Sequence, residues 1–394
     1  MAKVNKHLDH AEDLMILEGS SGARRAIDVL RKVGETLNPT GGPAVQLTTK
    51  WDGAPAVICG IDPSDGKFFV GTKGVFAQNP KLAKTQSDVQ RLYSGELASK
   101  LSTCLQYLPN VVTKGILQGD LLFTNDKSTT RILNQNLLAF RPNTITYAVE
   151  PASAIGRKIQ AAAVGIVFHT KYTGDSLQTL SASFGVSNSD YTETAQVWAT
   201  SATFTNVGGV ASFSADEYSA YTSAVSMAEG SVKKAGDIFD KIQSGKRALQ
   251  LDTIFLQFFN SYYKAGSAVP NVSAAYNAFM RYLGGKYNEQ IQKNKTLKAQ
   301  ADKAFKFVEA IDFIQDNQQK MQMLIAAYLN ITKAKMIAVR KMNQVASLQT
   351  FVETTNGYKV TSPEGFVAIS GGQAVKLIDR LEFSNLNFNV PKNW

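Results

Sequence analysis

The spacing of apolar positions divides the chain into three textures. Residues 8–17 carry acids early and an apolar stripe later, which predicts a helix. Glu18-Gly19-Ser20-Ser21-Gly22 predicts a break after it. Ala26, Ile27, Val29, Leu30, Val33 and Leu37 recur at helical spacing, so a second helix is predicted from Ala23 to about Leu37. Asn38-Pro39-Thr40-Gly41-Gly42-Pro43 closes it.

Strand patterns follow. Ala44 to Lys50 alternates, Ala56 to Gly60 is apolar, and Asp62-Pro63-Ser64-Asp65-Gly66 turns the chain into a return strand from Lys67 to Gly71. Residues 80–108 predict helix. Gly115–Thr124, Thr144–Val149 and Gln160–Tyr172 predict strands, and the Ser/Thr-rich stretch 176–213 has no clear period. From Asp216 to about Val345 the pattern is helical, as in Leu249–Tyr263, Ala274–Leu283, Thr296–Ile314 and Gln318–Met342. Strand texture returns at Gly357–Thr361, Gly365–Ile369 and Ala374–Leu377, with Ser370-Gly371-Gly372 as the last turn. The expected organisation is an α+β chain in three parts: 1–213, a helical insertion over 214–346, and 347–394 returning to the first sheet system.

Composition narrows the class. With 394 residues, 44 % apolar and 19 % charged, the chain has length for two or three domains and the makeup of a globular protein. It has no run of eighteen apolar residues, so no membrane partner is expected. The N-terminus lacks the apolar core of a signal peptide, which predicts a cytoplasmic protein. Cys59 and Cys104 stand in no metal spacing and read as free buried thiols. The three histidines are too scattered for a zinc site, and His7 and His10, one turn apart on an acidic helix, are not read as one.

The net charge of +10 attracts polyanions. Between Arg281 and Lys341 twelve Lys/Arg face five Asp/Glu, so the excess is concentrated. Lysines three to five apart, interleaved with tyrosines and phenylalanines, predict either a nucleic-acid face or a solvated helical one. Ser20-Ser21-Gly22-Ala23-Arg24-Arg25 reads as a phosphate-binding helix N-terminus or a simple capped turn.

The chemical candidate is Lys50-Trp51-Asp52-Gly53, between two predicted strands. A lysine at a strand end can project into a cleft, where burial and neighbouring charges tune its amine for attack on phosphorus. Asp52 would face a ribose or a metal, and Gly53 would let the backbone pass close to a nucleotide. The string alone is weak, because four residues with one open position arise by chance.

Its company strengthens it. Phe69-Val70-Gly71-Thr72-Lys73-Gly74, Gln118-Gly119-Asp120-Leu121-Leu122-Phe123, Gly165-Ile166-Val167-Phe168-His169-Thr170, Pro363-Glu364-Gly365-Phe366 and Ala374-Val375-Lys376-Leu377-Ile378 follow in order. Together these segments resemble the motif series of the covalent nucleotidyltransferase superfamily: polynucleotide ligases and mRNA capping enzymes. The overall look is closest to RNA ligase-like proteins of large tailed bacteriophages.

The resemblance implies an antiparallel-sheet nucleotidyltransferase core, ATP-grasp-like, carrying the helical insertion. It implies an ATP-dependent RNA ligase that joins 5′-phosphate to 3′-hydroxyl ends through a lysyl-AMP at Lys50, placed in a host cytoplasm if the chain is a phage protein. Lys50, Lys376 and Asp52 would be catalytic. Trp51, Gly53, Lys73, Phe168, Glu364 and Lys376 would hold the nucleotide. Asp120 and Glu364 would hold Mg²⁺, with Mn²⁺ as an alternative, and the 281–341 segment would hold RNA ends in preference to DNA.

The chain departs from the series in two places. Asp120 stands where the family has Glu, and Ala374 stands where the last motif has a second lysine, so Lys73 or Arg380 would supply the missing phosphate contact. The short stretch after that motif favours an RNA ligase layout over a capping enzyme or DNA ligase. Each residue also has a plainer reading: Phe168 as core, His169 as a hydrogen-bonded rim residue, Lys376 as a solvated strand lysine, and Asp120 and Glu364 as turn acids. The wider alternatives are a DNA ligase, a capping-type enzyme, or a nucleic-acid-binding protein with a decayed ligase core.

Overall fold

A computed structural model describes residues 8–206, 209–245, 247–345, 348–354 and 357–383. Its helices are α1 (Leu14–Leu17), α2 (Gly19–Leu37), α3 (Gln86–Leu92), α4 (Gly95–Tyr107), α5 (Ala154–Ala161), α6 (Ala215–Ala235), α7 (Ile238–Asp240), α8 (Leu251–Lys264), α9 (Val272–Lys293), α10 (Leu297–Asp316) and α11 (Gln318–Met342). Its strands are β1 (Gln46–Lys50), β2 (Ala56–Ile61), β3 (Phe68–Gly71), β4 (Ile116–Phe123), β5 (Lys127–Ile132), β6 (Gln135–Phe140), β7 (Ile145–Val149), β8 (Val164–Thr173), β9 (Ser181–Phe184), β10 (Val197–Ser201), β11 (Gln349–Thr354), β12 (Gly357–Val360), β13 (Gly365–Ser370) and β14 (Gln373–Leu377). The class is α+β, and the sheets are antiparallel apart from the parallel pair β8–β10.

Three sheets form. A six-stranded sheet runs β10-β8-β4-β2-β3, with β9 beside β8; a five-stranded sheet runs β12-β11-β7-β6-β5; a three-stranded sheet runs β1-β13-β14. The last joins chain ends far apart in sequence, with Lys50 opposite Gly365 and Val367 opposite Lys376. Its two faces alternate as a pleat demands. Leu47, Phe366, Ala368, Val375 and Leu377 enter the helical core, and Thr48, Lys50, Val367 and Ile369 look the other way into a cleft.

The front of the chain departs from its predicted shape. Residues 8–10 are not helical; His10 bridges Lys376, and Lys376 N–H donates to the Asp9 carbonyl at 2.9 Å. His7 lies outside the described residues. The predicted break at 18–22 is present at Glu18, a bend between α1 and α2, but it is short. Gly19–Gly22 already form the first turn of α2, whose Ala26, Ile27, Leu30 and Val33 pack into one core with α6, α8, α9 and α11. No phosphate site opens at that turn, because Ser20 donates its N–H (2.8 Å) and hydroxyl (2.6 Å) to the Asp240 carboxylate. The stretch 176–213 contains β9 and β10, which widen the six-stranded sheet. Among the described residues no helix is long and apolar enough to cross a membrane.

Candidate nucleotide-binding cleft

The cleft lies between the three-stranded sheet and the face of β4, β8 and β9. Its volume is about 230 Å³, and Thr48, Lys50, Trp51, Gln118, Asp120 and His169 are among its lining residues. Lys50 ends β1 and contacts the Glu364 carboxylate just ahead of β13. Burial acts to lower the Lys50 amine, but the carboxylates of Glu364, Asp120 and Asp52 outweigh it and raise the amine above the ordinary lysine value. Burial pushes the Glu364 carboxyl up to about 7 against the pull of Lys50. Lys376 pairs with the cleft residue Val367 across β13 and β14, so it shares that face of the sheet, but like Glu364 it stands beside the cleft and not among its lining residues. Burial and the nearby Lys50 charge hold its amine below the ordinary value.

Asp52 does not face the cleft. It is buried, and its carboxylate accepts from Asn143 Nδ2 and from the Thr144 and Ile145 backbone N–H groups, each at 2.7 Å. Its own N–H donates to the Tyr147 hydroxyl at 2.7 Å. Both carboxylate oxygens are engaged by the start of β7, so Asp52 holds the strand end that presents Lys50 instead of reaching a ribose or a metal. Trp51 packs beside it, 5.2 Å from Tyr147 and 6.4 Å from Trp198 between ring centres. Gly53 passes so close to β4 that a Cβ there would lie 2.6 Å from the Asp120 Cβ.

Other expected nucleotide contacts are elsewhere. Phe168 is fully buried against Tyr191, at 5.4 Å, in the core under α3 and α4, so it offers no surface to a base. Lys73 is exposed beyond β3, an edge strand, and is not among the cleft residues. Arg380 is buried and bonded to Asp13 at 2.9 and 3.0 Å, which leaves it unable to supply a phosphate contact.

The cleft wall also holds Tyr172, Ala182 and Phe184, which lie outside the motif segments. Tyr172 donates its hydroxyl to Gln118 at 2.5 Å, and Ala182 and Phe184 come from β9. His169 Nε2 stands 3.7 Å from Asp120 Oδ1, and its Nδ1 contacts the Thr170 hydroxyl at 2.8 Å. The period-free sequence around β9 carried no signal for the last two wall residues.

Behind Lys376 lies a buried charge cluster. Lys335 of α11 bonds Glu12 at 2.6 Å, and Arg380 spans Glu12 (3.4 Å), Asp13 and the Tyr328 hydroxyl (3.2 Å). Burial alone would raise the Glu12 carboxyl, but Lys335, Arg380 and His10 bring it down to about 2. The cluster ties the N-terminal segment and the helices to the strand carrying Lys376.

The basic segment is divided by the fold. Lys335 belongs to the buried cluster, Lys341 contacts Glu217 at 2.9 Å, and Lys320 contacts Asp237 at 2.7 Å. The cations exposed to solvent are spread along the segment, at Arg281, Lys293, Lys295, Lys298, Lys333 and Arg340, with Lys293, Lys295 and Lys298 grouped around the turn from α9 to α10.

The sequence pattern of one family matches residues 5–392. The chain belongs to DUF6267, a family of unknown function. No curated protein and no solved structure matches it. Among the described residues no group of three or more His, Cys, Asp or Glu side chains is arranged to hold a metal ion. Asp120 and Glu364 are two carboxylates flanking Lys50, and Mg²⁺ commonly uses one or two carboxylates together with substrate phosphates. That donor set fits Mg²⁺ bound along with a nucleotide, and does not fit a site made by protein alone.

Proposed function

We propose that the chain is an ATP-dependent polynucleotide ligase that works through a covalent lysyl-AMP at Lys50, with RNA ends as the preferred substrate. The observation that supports this most is convergence. Lys50, Asp120, Glu364 and Lys376 come from four separate motif segments, and their charges act on one another around one cleft.

In the first step the Lys50 amine, once deprotonated, attacks the α-phosphorus of ATP. A P–N bond forms, the bond to the bridging oxygen breaks, and pyrophosphate leaves. Lys376 lies where it can stabilise charge gathering on the phosphoryl oxygens. Asp120 and Glu364 would hold Mg²⁺, which when bound supplies further neutralisation of phosphate charge. A 5′-phosphate oxygen then attacks the same phosphorus and frees Lys50. Finally a 3′-hydroxyl attacks the activated 5′-phosphate and AMP leaves. Lys293 and Lys295 offer a sequence-blind surface for the polynucleotide backbone.

One observation favours a second reading. Three carboxylates raise the Lys50 amine, which holds it as a non-nucleophilic ammonium in the nucleotide-free cleft. A chain in which nothing relieves that state would be a nucleic-acid-binding protein with a decayed ligase core.

The test is label transfer. The full chain is incubated with Mg²⁺ and ATP or GTP labelled at the α-phosphate, then denatured. The ligase reading expects label from ATP that survives denaturation and disappears in Lys50→Ala. Label from GTP alone would favour a capping-type enzyme, and no label from either would leave the binding protein. Nicked DNA and 5′-phosphorylated RNA then identify the ends joined.

A further inference from the structure

α10 is the least buried long helix of the block. Only Ala310 and Ile314 along it are fully covered. Leu297, Phe305 and Val308 are 84 %, 74 % and 55 % exposed, and Ala301 is exposed between them. These four positions fall at i, i+4, i+8 and i+11, so they form one apolar stripe facing away from α9 and α11. Scattered apolar residues on a surface need no explanation, but a contiguous stripe on one helix marks an interaction face.

The flank of the stripe carries Lys298, Asp302, Lys306 and Glu309. Over its whole length α10 has Lys298, Lys303 and Lys306 against Asp302, Glu309, Asp312 and Asp316, which makes it a poor surface for a polyanion. The order of charges is instead self-complementary. When two copies of α10 lie antiparallel about a two-fold axis near Lys303 and Ala304, one register sets Leu297 against Val308 and Ala301 against Phe305. The same register sets Lys298 opposite Glu309 and Asp302 opposite Lys306, because like flanks face each other in an antiparallel pair. A two-fold interface requires this kind of self-complementarity, in which one patch serves both sides.

We infer that the outer stripe of α10 is the face through which two copies of this chain associate, antiparallel, with Phe305 as the central apolar anchor. Residues of this kind at the middle of an interface carry a disproportionate share of the affinity. The proposal is independent of the chemistry at Lys50.

Sedimentation equilibrium of the full chain tests it. The wild type is expected at twice 42.8 kDa. Phe305→Glu is expected to sediment as the single chain. Lys298→Glu should weaken association by on the order of tenfold, and adding Glu309→Lys to it should restore the wild-type constant. A wild type that stays at 42.8 kDa up to about 100 µM would overturn the proposal, since a specific interface of ordinary size associates well below that. A dimer unaffected by Phe305→Glu, or a double reversal no tighter than the single one, would overturn it equally.

Discussion

Lys50 and Glu364 meet where β1 runs beside β13, the lysine closing one strand and the glutamate immediately preceding the other. Each is the main partner the other has, so the pair can be probed from both sides. Lys50→Arg preserves the charge and the contact but cannot form a stable nucleotidyl adduct. It is expected to fold with a urea midpoint near the wild type while retaining no α-phosphate label. Lys50→Met leaves a buried carboxyl alone and should cost about 1–3 kcal/mol in urea unfolding.

Asp52 gives a contrasting expectation. If it is a bracket for the strand end, Asp52→Ala strands the Thr144 and Ile145 N–H groups and the Asn143 amide, and stability should fall by roughly 2–4 kcal/mol. Asp52→Asn keeps one acceptor oxygen and should lose about half as much by the same reasoning. A variant with full stability and lost nucleotide binding would place Asp52 in contact with the ligand after all.

Gly53→Ala probes the spacing between the lysine loop and β4. The added methyl would meet the Asp120 Cβ at 2.6 Å, so one of them must move. The expected cost is about 1–3 kcal/mol, with lysyl-AMP formation slowed because Asp120 shifts away from Lys50. Single-turnover labelling at several Mg²⁺ concentrations reads that shift. An unchanged magnesium dependence would count against Asp120 as a metal ligand.

The buried cluster sets a pH dependence. Glu12 has a folded-state value of about 2 against an ordinary 4.5. A carboxyl depressed on folding contributes stability that is present above its unfolded value and lost as pH falls through the folded one. Wild-type stability should therefore carry a component, missing from Glu12→Gln, that is lost as pH falls from about 4.5 toward 2. Asp13 beside it, raised to about 6 by burial, contributes with the opposite sign, and its contribution is lost as pH rises through that value. At neutral pH Glu12→Gln should be less stable by about 3–5 kcal/mol, because Lys335 is left charged and buried. Chemical denaturation of both proteins across that range is the measurement.

Much of this arrangement was legible along the chain, for identifiable reasons. β1, β2, β4, β13 and β14 carry strict alternation or short apolar runs bounded by turns, so their positions and the lysines and acids at their ends could be read directly. Phe168 could not. Between Gln118 and Gly119 the register of β4 with β8 shifts, Gln118 lying opposite Thr170 and Gly119 opposite Phe168. The bulge leaves His169 unpaired in the ladder, so His169 and Thr170 both line the cleft while Phe168 turns into the core. No alternation pattern shows such a slip.

The partners of Asp52 were hidden for another reason. They are two backbone amides and an asparagine about ninety residues later, and backbone groups leave no trace in residue types. Of the two glycines at 19–22, Gly19 marks the break with a positive φ, whereas Gly22 lies within α2 and serves packing against α1. A Cβ on Gly22 would lie 2.0 Å from the Leu14 carbonyl oxygen, so glycine there admits a close approach inside a continuing helix.

The strand pairing around Lys50 also governs when the cleft can form. One edge of β1 is met by residues 202–204, with Thr49 N–H donating to the Ala202 carbonyl and Phe204 N–H to the Leu47 carbonyl, but the other edge waits for β13, and the segment at Asp9–Ala11 waits for β14. A chain emerging from the ribosome thus holds Lys50 through most of synthesis without Glu364 or Lys376 beside it. The cleft is among the last things the polypeptide builds, and an incomplete chain, whatever else it folds, carries a lysine without its carboxylate partner.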